Sequence, residues 1–238
     1  MSPRREARQA GSLARDSRPE PRTPAHPHLP HIALLGDSIF DNAAYVPGGP
    51  DVVAQLRDIL PAGWKASLLA VDGATIDGVA RQLSRLPADA THLVVSVGGN
   101  DAFGHADLLE RRATSSPQVL GWLADAAAEF ETRYRRMLDT LLARRLPLTL
   151  CTIYNGNLGP PVQRLAATAL AVFDDAIIRA ATERSLSVIE LRLVCTEPSD
   201  YANPIEPSVR GGARIARAVA GALTSEEARA RGAHVMIE

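Results

Sequence analysis

The chain has 238 residues with 26 basic and 27 acidic side chains, 46% hydrophobic residues, two cysteines and a low aromatic content, the profile of an ordinary soluble globular chain. Residues 1–28 hold six arginines against Glu6, Asp16 and Glu20, so the remainder is mildly acidic and lacks the basic field that nucleic acid or anionic lipid requires. No run of about 18 apolar residues offers a membrane-spanning helix, and Cys151 and Cys195, far apart and outside any C-x-x-C spacing, suit a reduced, cytoplasmic setting.

In chain order, residues 1–30 carry six of the 17 prolines and no apolar periodicity, which predicts a disordered Arg/Pro-rich tail. From there short apolar runs alternate with helical spacing. Strands are predicted at Ile32 to Gly36, Ser67 to Val71, His92 to Val97, Leu148 to Ile153 and Val188 to Leu191. Helices are predicted at Asp51 to Leu60, Ile76 to Leu83, Leu120 to Arg145, Val162 to Arg184 and Val209 to Leu223. Leu123, Ala127, Phe130, Tyr134, Met137, Leu138 and Leu141 follow the i, i+3, i+4 rule of a helix packed on a sheet. Nearly all-apolar strands are buried on both faces, so the expected body, residues 31–223, is one doubly wound, three-layer α/β/α domain around a five-stranded parallel sheet. Residues 224–238 form a C-terminal tail expected to dock on that body.

In such a sheet, ligands gather at the carboxyl ends of the strands. Gly36-Asp37-Ser38 follows the first run, Asp72-Gly73 the second and Gly98-Gly99-Asn100-Asp101 the third. Taken singly, each reads equally as helix-cap or turn chemistry. With strand order 2-1-3-4-5, however, Ser38, Gly73 and Asn100 fall on three adjacent strand ends. A hydroxyl nucleophile beside a backbone N–H and an amide N–H is the set that acyl transfer needs. Asp41, Asp101 and Asp107 have no His or Cys at ligand spacing, so no metal is expected, and no cofactor is implied.

In their order and spacing, these motifs resemble the first three blocks of the SGNH (GDSL-type) hydrolases, a family of esterases, lipases, thioesterases and deacetylases on a flavodoxin-like sheet. The resemblance implies a small-molecule ester substrate, Ser38 as nucleophile, and an oxyanion hole from the Ser38 and Gly73 N–H groups and the Asn100 side chain. The family's fourth block, D-x-x-H, corresponds here to Asn203-Pro204-Ile205-Glu206, followed by Pro207-Ser208 and Gly211-Gly212. Asn203 stands in place of the Asp and Glu206 in place of the catalytic His. Serine needs an adjacent base, and three readings follow: Glu206 is the base, with Asp200 sharing its proton; His105 takes over from the neighbouring loop; or the site binds an acyl ligand without turnover. Asn203 is expected to donate an amide hydrogen bond to Glu206. A flavodoxin-like electron carrier shares the fold, but the first loop lacks a Ser/Thr/Gly-rich phosphate cradle. The sequence leaves oligomeric state open.

Overall fold

The computed structural model describes residues 29–224 and 235–236. The predicted N-terminal tail, apart from Leu29 and Pro30, and most of the C-terminal tail lie outside the described residues. In chain order the regular elements are β1 (His31–Gly36), α1 (Val52–Ile59), β2 (Lys65–Leu68), α2 (Val79–Gln82), β3 (His92–Ser96), α3 (Gly99–Phe103), α4 (Ser116–Leu142), β4 (Leu148–Cys151), α5 (Val162–Glu183), β5 (Ser187–Ile189), α6 (Leu191–Val194), α7 (Val209–Thr224) and β6 (Val235–Met236).

The strands run parallel in the order β2-β1-β3-β4-β5, and the short β6 pairs with the outer edge of β5. The five-strand order expected from the sequence is thus present, and β6 extends it from within the C-terminal tail. Alternation along the buried strands divides the core into two layers. Ala33, Leu35, Leu93, Val95 and Leu150 face a cluster that includes α4 and α5 residues. Ile32, Leu34, Val94, Cys151 and Ile189 face the opposite way, toward α1 and α7. A period of two is what a strand imposes on its side chains, so an all-apolar strand feeds both layers at once.

Several boundaries differ from expectation, among them the start of α4 at Ser116 and of β2 at Lys65, and four of the differences have a clear local cause. The second run was expected to pair through Val71, but Leu69 and Ala70 both donate to the Leu34 carbonyl, a bulge that ends β2. Val71 still bonds to the Gly36 carbonyl at 3.0 Å, so the chain stays beside β1 and delivers Asp72 and Gly73 to the sheet edge. The helix expected over Ile76 to Leu83 is the four-residue α2 between 3-10 turns at Ile76–Gly78 and Leu83–Arg85; Gly78 interrupts its helical propensity. Past Cys151, Thr152 N–H still donates to the Ile189 carbonyl at 3.0 Å, but Ile153 N–H is taken by the Asp174 carboxylate of α5 at 2.7 Å, and β4 goes no further. β5 ends at Ile189 because the Glu190 side chain caps α6 through Arg192 N–H, so Leu191 is helical.

The candidate active site

Ser38 lies just beyond β1, in a turn where Phe40 and Asp41 N–H donate to the Asp37 carbonyl. Gly36, at φ +124°, makes this turn possible: a Cβ there would sit 1.7 Å from the Ser96 carbonyl oxygen of β3, and positive φ is open to glycine without steric penalty. Gln82 of α2, fully buried, clamps the same residue, accepting from Gly36 N–H at 2.8 Å and donating to its carbonyl at 2.7 Å. The strand end that presents the serine is thereby fixed from both sides.

Glu206 arrives from the opposite direction, on the loop between α6 and α7. Its main-chain carbonyl accepts from Ala202 N–H, and Tyr201 and Pro207 form a bridge, so residues 201–207 make a narrow loop. Asn42 ties that loop to the serine turn, donating to the Pro207 carbonyl at 3.1 Å while accepting from Val52 N–H at 2.9 Å. Tyr154 OH donates to the Ile205 carbonyl from the β4 side. At the loop's base, Gly211 lets α7 close in; a Cβ would lie 2.0 Å from the Asp200 carbonyl oxygen.

These supports bring the Ser38 hydroxyl within 3.1 Å of Glu206 Oε1, to which it donates. Ser38 and Glu206 are both buried, at 8% and 5% exposure. Glu206 Oε2 accepts no hydrogen bond among the described residues. Burial, reinforced by the nearby Asp72 charge, pushes the Glu206 carboxyl up to about 7, against the lowering effect of the Ser38 hydrogen bond. Burial likewise pushes Asp37 up to about 8, partly opposed by its bond from Ile39 N–H and assisted by the charge of Glu206. Near neutral pH, then, Asp37 carries a proton while Glu206 titrates.

The remaining predicted residues fall at several places. The Asn100 side chain reaches the Ala74 carbonyl at 2.9 Å, which ties α3 to the Gly73 turn and uses one of its two amide hydrogens. Gly73, at φ +74°, forms that turn and lines a neighbouring hollow together with Arg81 and Arg85. Asp101 does not face Ser38; it accepts from Ile76 N–H at 3.0 Å and pairs with Arg133 at 2.8 Å, so it holds the Gly73 segment from below. His105 lines the cavity beside Ser38, but its ring stacks on Phe173 at 6.0 Å, and the Ser38 hydroxyl is given to Glu206.

Two expectations for the fourth block are corrected. Asp200 does not share a proton with Glu206: its buried carboxylate accepts from Thr196 and Glu197 N–H and pairs with Arg214 at 3.1 Å, which leaves it capping a 3-10 turn. Asn203 does not donate to the Glu206 carboxylate; its Oδ1 accepts from Ile205 and Glu206 N–H, both at 2.9 Å. A short amide side chain two and three residues upstream reaches the main chain more readily than the carboxylate beyond it. Asn203 therefore shapes the loop that aims Glu206.

Asn42 and Gln82 were not singled out from sequence. The signal for Gln82 was a polar residue on the apolar side of a helix, between Val79 and Leu83; for Asn42 it was a position one turn after Ser38.

A cavity of about 240 Å³ opens beside Ser38, lined by Ser38 and Asn100 at the strand ends, by Glu206 from the α6–α7 loop, and otherwise mostly by apolar side chains, many from α3, α4 and α5. Among the described residues, no group of three or more His, Cys, Asp or Glu side chains is placed to hold a metal ion, and no helix is long and apolar enough to cross a membrane.

A family model described as GDSL-like lipase/acylhydrolase matches residues 34–231. No curated protein matches the chain. Among solved structures, the extracellular lipase of Streptomyces rimosus superposes with a TM-score of 0.59 at 16% identity, over 78% of this chain and 95% of the lipase. Phospholipase A1 of Streptomyces albidoflavus gives 0.59 at 14% identity, over 77% and 94% of the two chains. The acetylxylan esterase of Geobacillus stearothermophilus gives 0.56 at 20% identity, over 85% and 97%. At these identities the likeness is one of fold.

Proposed function

Because the chain belongs to the GDSL-like lipase/acylhydrolase family, we propose that it is a serine hydrolase cleaving a carboxylic ester through an acyl-serine intermediate, with Glu206 as the proton acceptor. The observation that carries this reading is the hydrogen bond from Ser38 Oγ to Glu206 Oε1 at 3.1 Å, within the reach a general base needs. The raised carboxyl removes the main objection to glutamate. At its ordinary value of 4.5 it would be a poor acceptor, whereas at about 7 it approaches the basicity of imidazole.

Ser38 Oγ attacks the ester carbonyl as its proton passes to Glu206. The new Oγ–C bond gives a tetrahedral oxyanion, held by the second amide hydrogen of Asn100 and by the Ser38 and Gly73 N–H groups. Collapse breaks the bond to the alcohol oxygen, which takes the proton back from Glu206 and leaves. Water, deprotonated by the same carboxylate, then attacks the acyl-serine, and the net change is ester plus water to acid plus alcohol. Asp37, protonated below about 8, keeps a second negative charge away from the base. The His105 ring serves as cavity wall. Cys151 and Cys195 are free and buried, and the cytoplasm is the proposed location.

The test is pre-steady-state kinetics with p-nitrophenyl esters, coupled to mass analysis of the trapped protein. A burst with acylation of Ser38, abolished in Ser38→Ala, is the expected result. No acyl adduct at any pH from about 5 to about 9, with Ser38→Ala as fast as the parent, would instead mean a ligand-binding site without turnover.

A further inference from the structure

The cavity beside Ser38 is chemically one-sided. α5 contributes Ala166, Ala169, Leu170 and Phe173, spaced i, i+3, i+4 and i+7, so a single stripe of that helix forms one wall. Leu108 and Leu109 come from the 3-10 turn after α3, and Phe103 and Val162, 65% and 46% exposed, add apolar surface to the lining. The ionisable side chains in the lining are Asp37, His105, Tyr154 and Glu206, with no Lys or Arg among them. Apart from these and Ser38, Ser96, Asn100 and Asn155 the walls are apolar, so they offer little to the hydroxyls of a sugar, no cation to a phosphate, and reward methylene groups. On the other side of Ser38 lies polar, open surface: Asp72 is exposed, accepts from Tyr45 OH at 2.7 Å, and is close enough to act on the Glu206 charge.

We infer that the cavity holds the acyl chain of the substrate, that the natural esters carry unbranched acyl groups of medium length in preference to acetyl, and that Ala166 and Ala169 set that length. This rests on the hydrolase reading above. The acyl group stays bonded to Ser38 while the alcohol departs, so an apolar cavity suits the former and the open polar rim the latter. Size agrees: a cavity of about 150 Å³ holds benzene, and the present one is about 240 Å³, too large for a methyl group to fill. Two alanines on the α5 wall leave that volume free; leucine at either position would occupy it.

The experiment is a series of p-nitrophenyl esters from acetate to dodecanoate, run on the full chain. For the parent, kcat/KM is expected to climb about fourfold per methylene, the worth of burying each one, and then level off once the cavity is full. Ala166→Leu and Ala169→Leu should lower the octanoate-to-acetate ratio by at least about tenfold, the equivalent of two or more lost methylenes. Leu170→Ala, which enlarges the same wall, should move the optimum to longer chains. A flat series, or a ratio that moves the same way in the enlarging and the filling variants, would overturn the inference. So would a length dependence that appears with alkyl acetates of increasing alcohol length instead. If the parent turns over no ester, the hydrolase reading fails separately, and displacement of a hydrophobic fluorophore by octanamide becomes the readout. Displacement weakened by Ala169→Leu then retains the acyl-chain site, and no displacement removes it.

Discussion

Replacing Glu206 by glutamine keeps the shape of the side chain and removes its ability to take a proton, so it separates base chemistry from architecture. If Glu206 is the acceptor for Ser38, kcat/KM on a good ester falls by about 10²–10⁴-fold, the usual worth of a positioned general base. The parent's rate should rise with pH through about 7, where Glu206 titrates, and the variant's should lose that limb. The same raised value has a consequence for stability. Below pH 4.5 the carboxyl is protonated whether the chain is folded or not. Between 4.5 and about 7 the folded protein keeps the proton and the unfolded chain releases it, so the parent loses stability as pH rises across that window. At about 1.36 kcal/mol per unit this amounts to roughly 3 kcal/mol for a group that is almost fully enclosed. Glutamine carries no such dependence. The buried amide brings its own pH-independent cost, which cancels when the gap between the two proteins is followed against pH. Urea unfolding at pH 4.5, 6 and 7 should show the variant gaining on the parent by about 3 kcal/mol across the range. A gap that stays constant with pH, or a variant as active as the parent, would refute the assignment of a raised, catalytic carboxylate.

Three further outcomes are expected. The double replacement Asn203→Asp with Glu206→His restores the family's fourth block and should raise kcat/KM near neutral pH; a folded double variant that remains as slow as the parent counts against position 206 as the base position. Gln82→Ala removes both bonds to Gly36; the Gly36 carbonyl keeps its bond from Val71 N–H, but the buried Gly36 N–H is stranded, so urea unfolding should report a loss of about 1–3 kcal/mol, with kcat falling more than KM rises because the serine turn loosens. Asn42→Ala cuts the tie between the serine turn and the Glu206 loop; the expected loss is about 2–4 kcal/mol, accompanied by a weaker pH dependence of activity as the 3.1 Å contact lengthens.

How much of this was legible without coordinates follows from what each element depends on. The strands themselves and the two-layer core rest on hydrophobic period, which a single sequence displays, and so Ile32 to Gly36 and His92 to Val97 fell within a residue of β1 and β3; the strand order was the common one for such a sheet, assumed and then found. The element ends were less accessible, because β4 and β5 are terminated by the carboxylates of Asp174 and Glu190, and no local pattern announces a side chain arriving from another helix or capping the next one. The same distinction divides the site. Local turn chemistry after the strands nominated Ser38, Gly73 and Asn100, and the resemblance to the family's fourth block nominated Glu206, yet neither could assign partners. Asp200 looked available to Glu206 by its place in the chain, and the arginine that claims it, Arg214, is a full helical turn into α7. Asn203 looked like a donor, and the main chain took its oxygen.

The sequence by itself determined that this is a parallel α/β protein of the GDSL type whose fourth block carries glutamate where histidine is usual, since motif spacing and side-chain period are properties of the chain. Only the tertiary structure decided that Glu206 meets the Ser38 hydroxyl, that its carboxyl is raised to about 7, and that an apolar cavity lies beside them. Those are matters of burial and of contact between residues 168 positions apart in the chain. The free energy of a buried charge depends on what surrounds it in space, and that surrounding exists only once the loops from β1, β3 and α6 have been packed together.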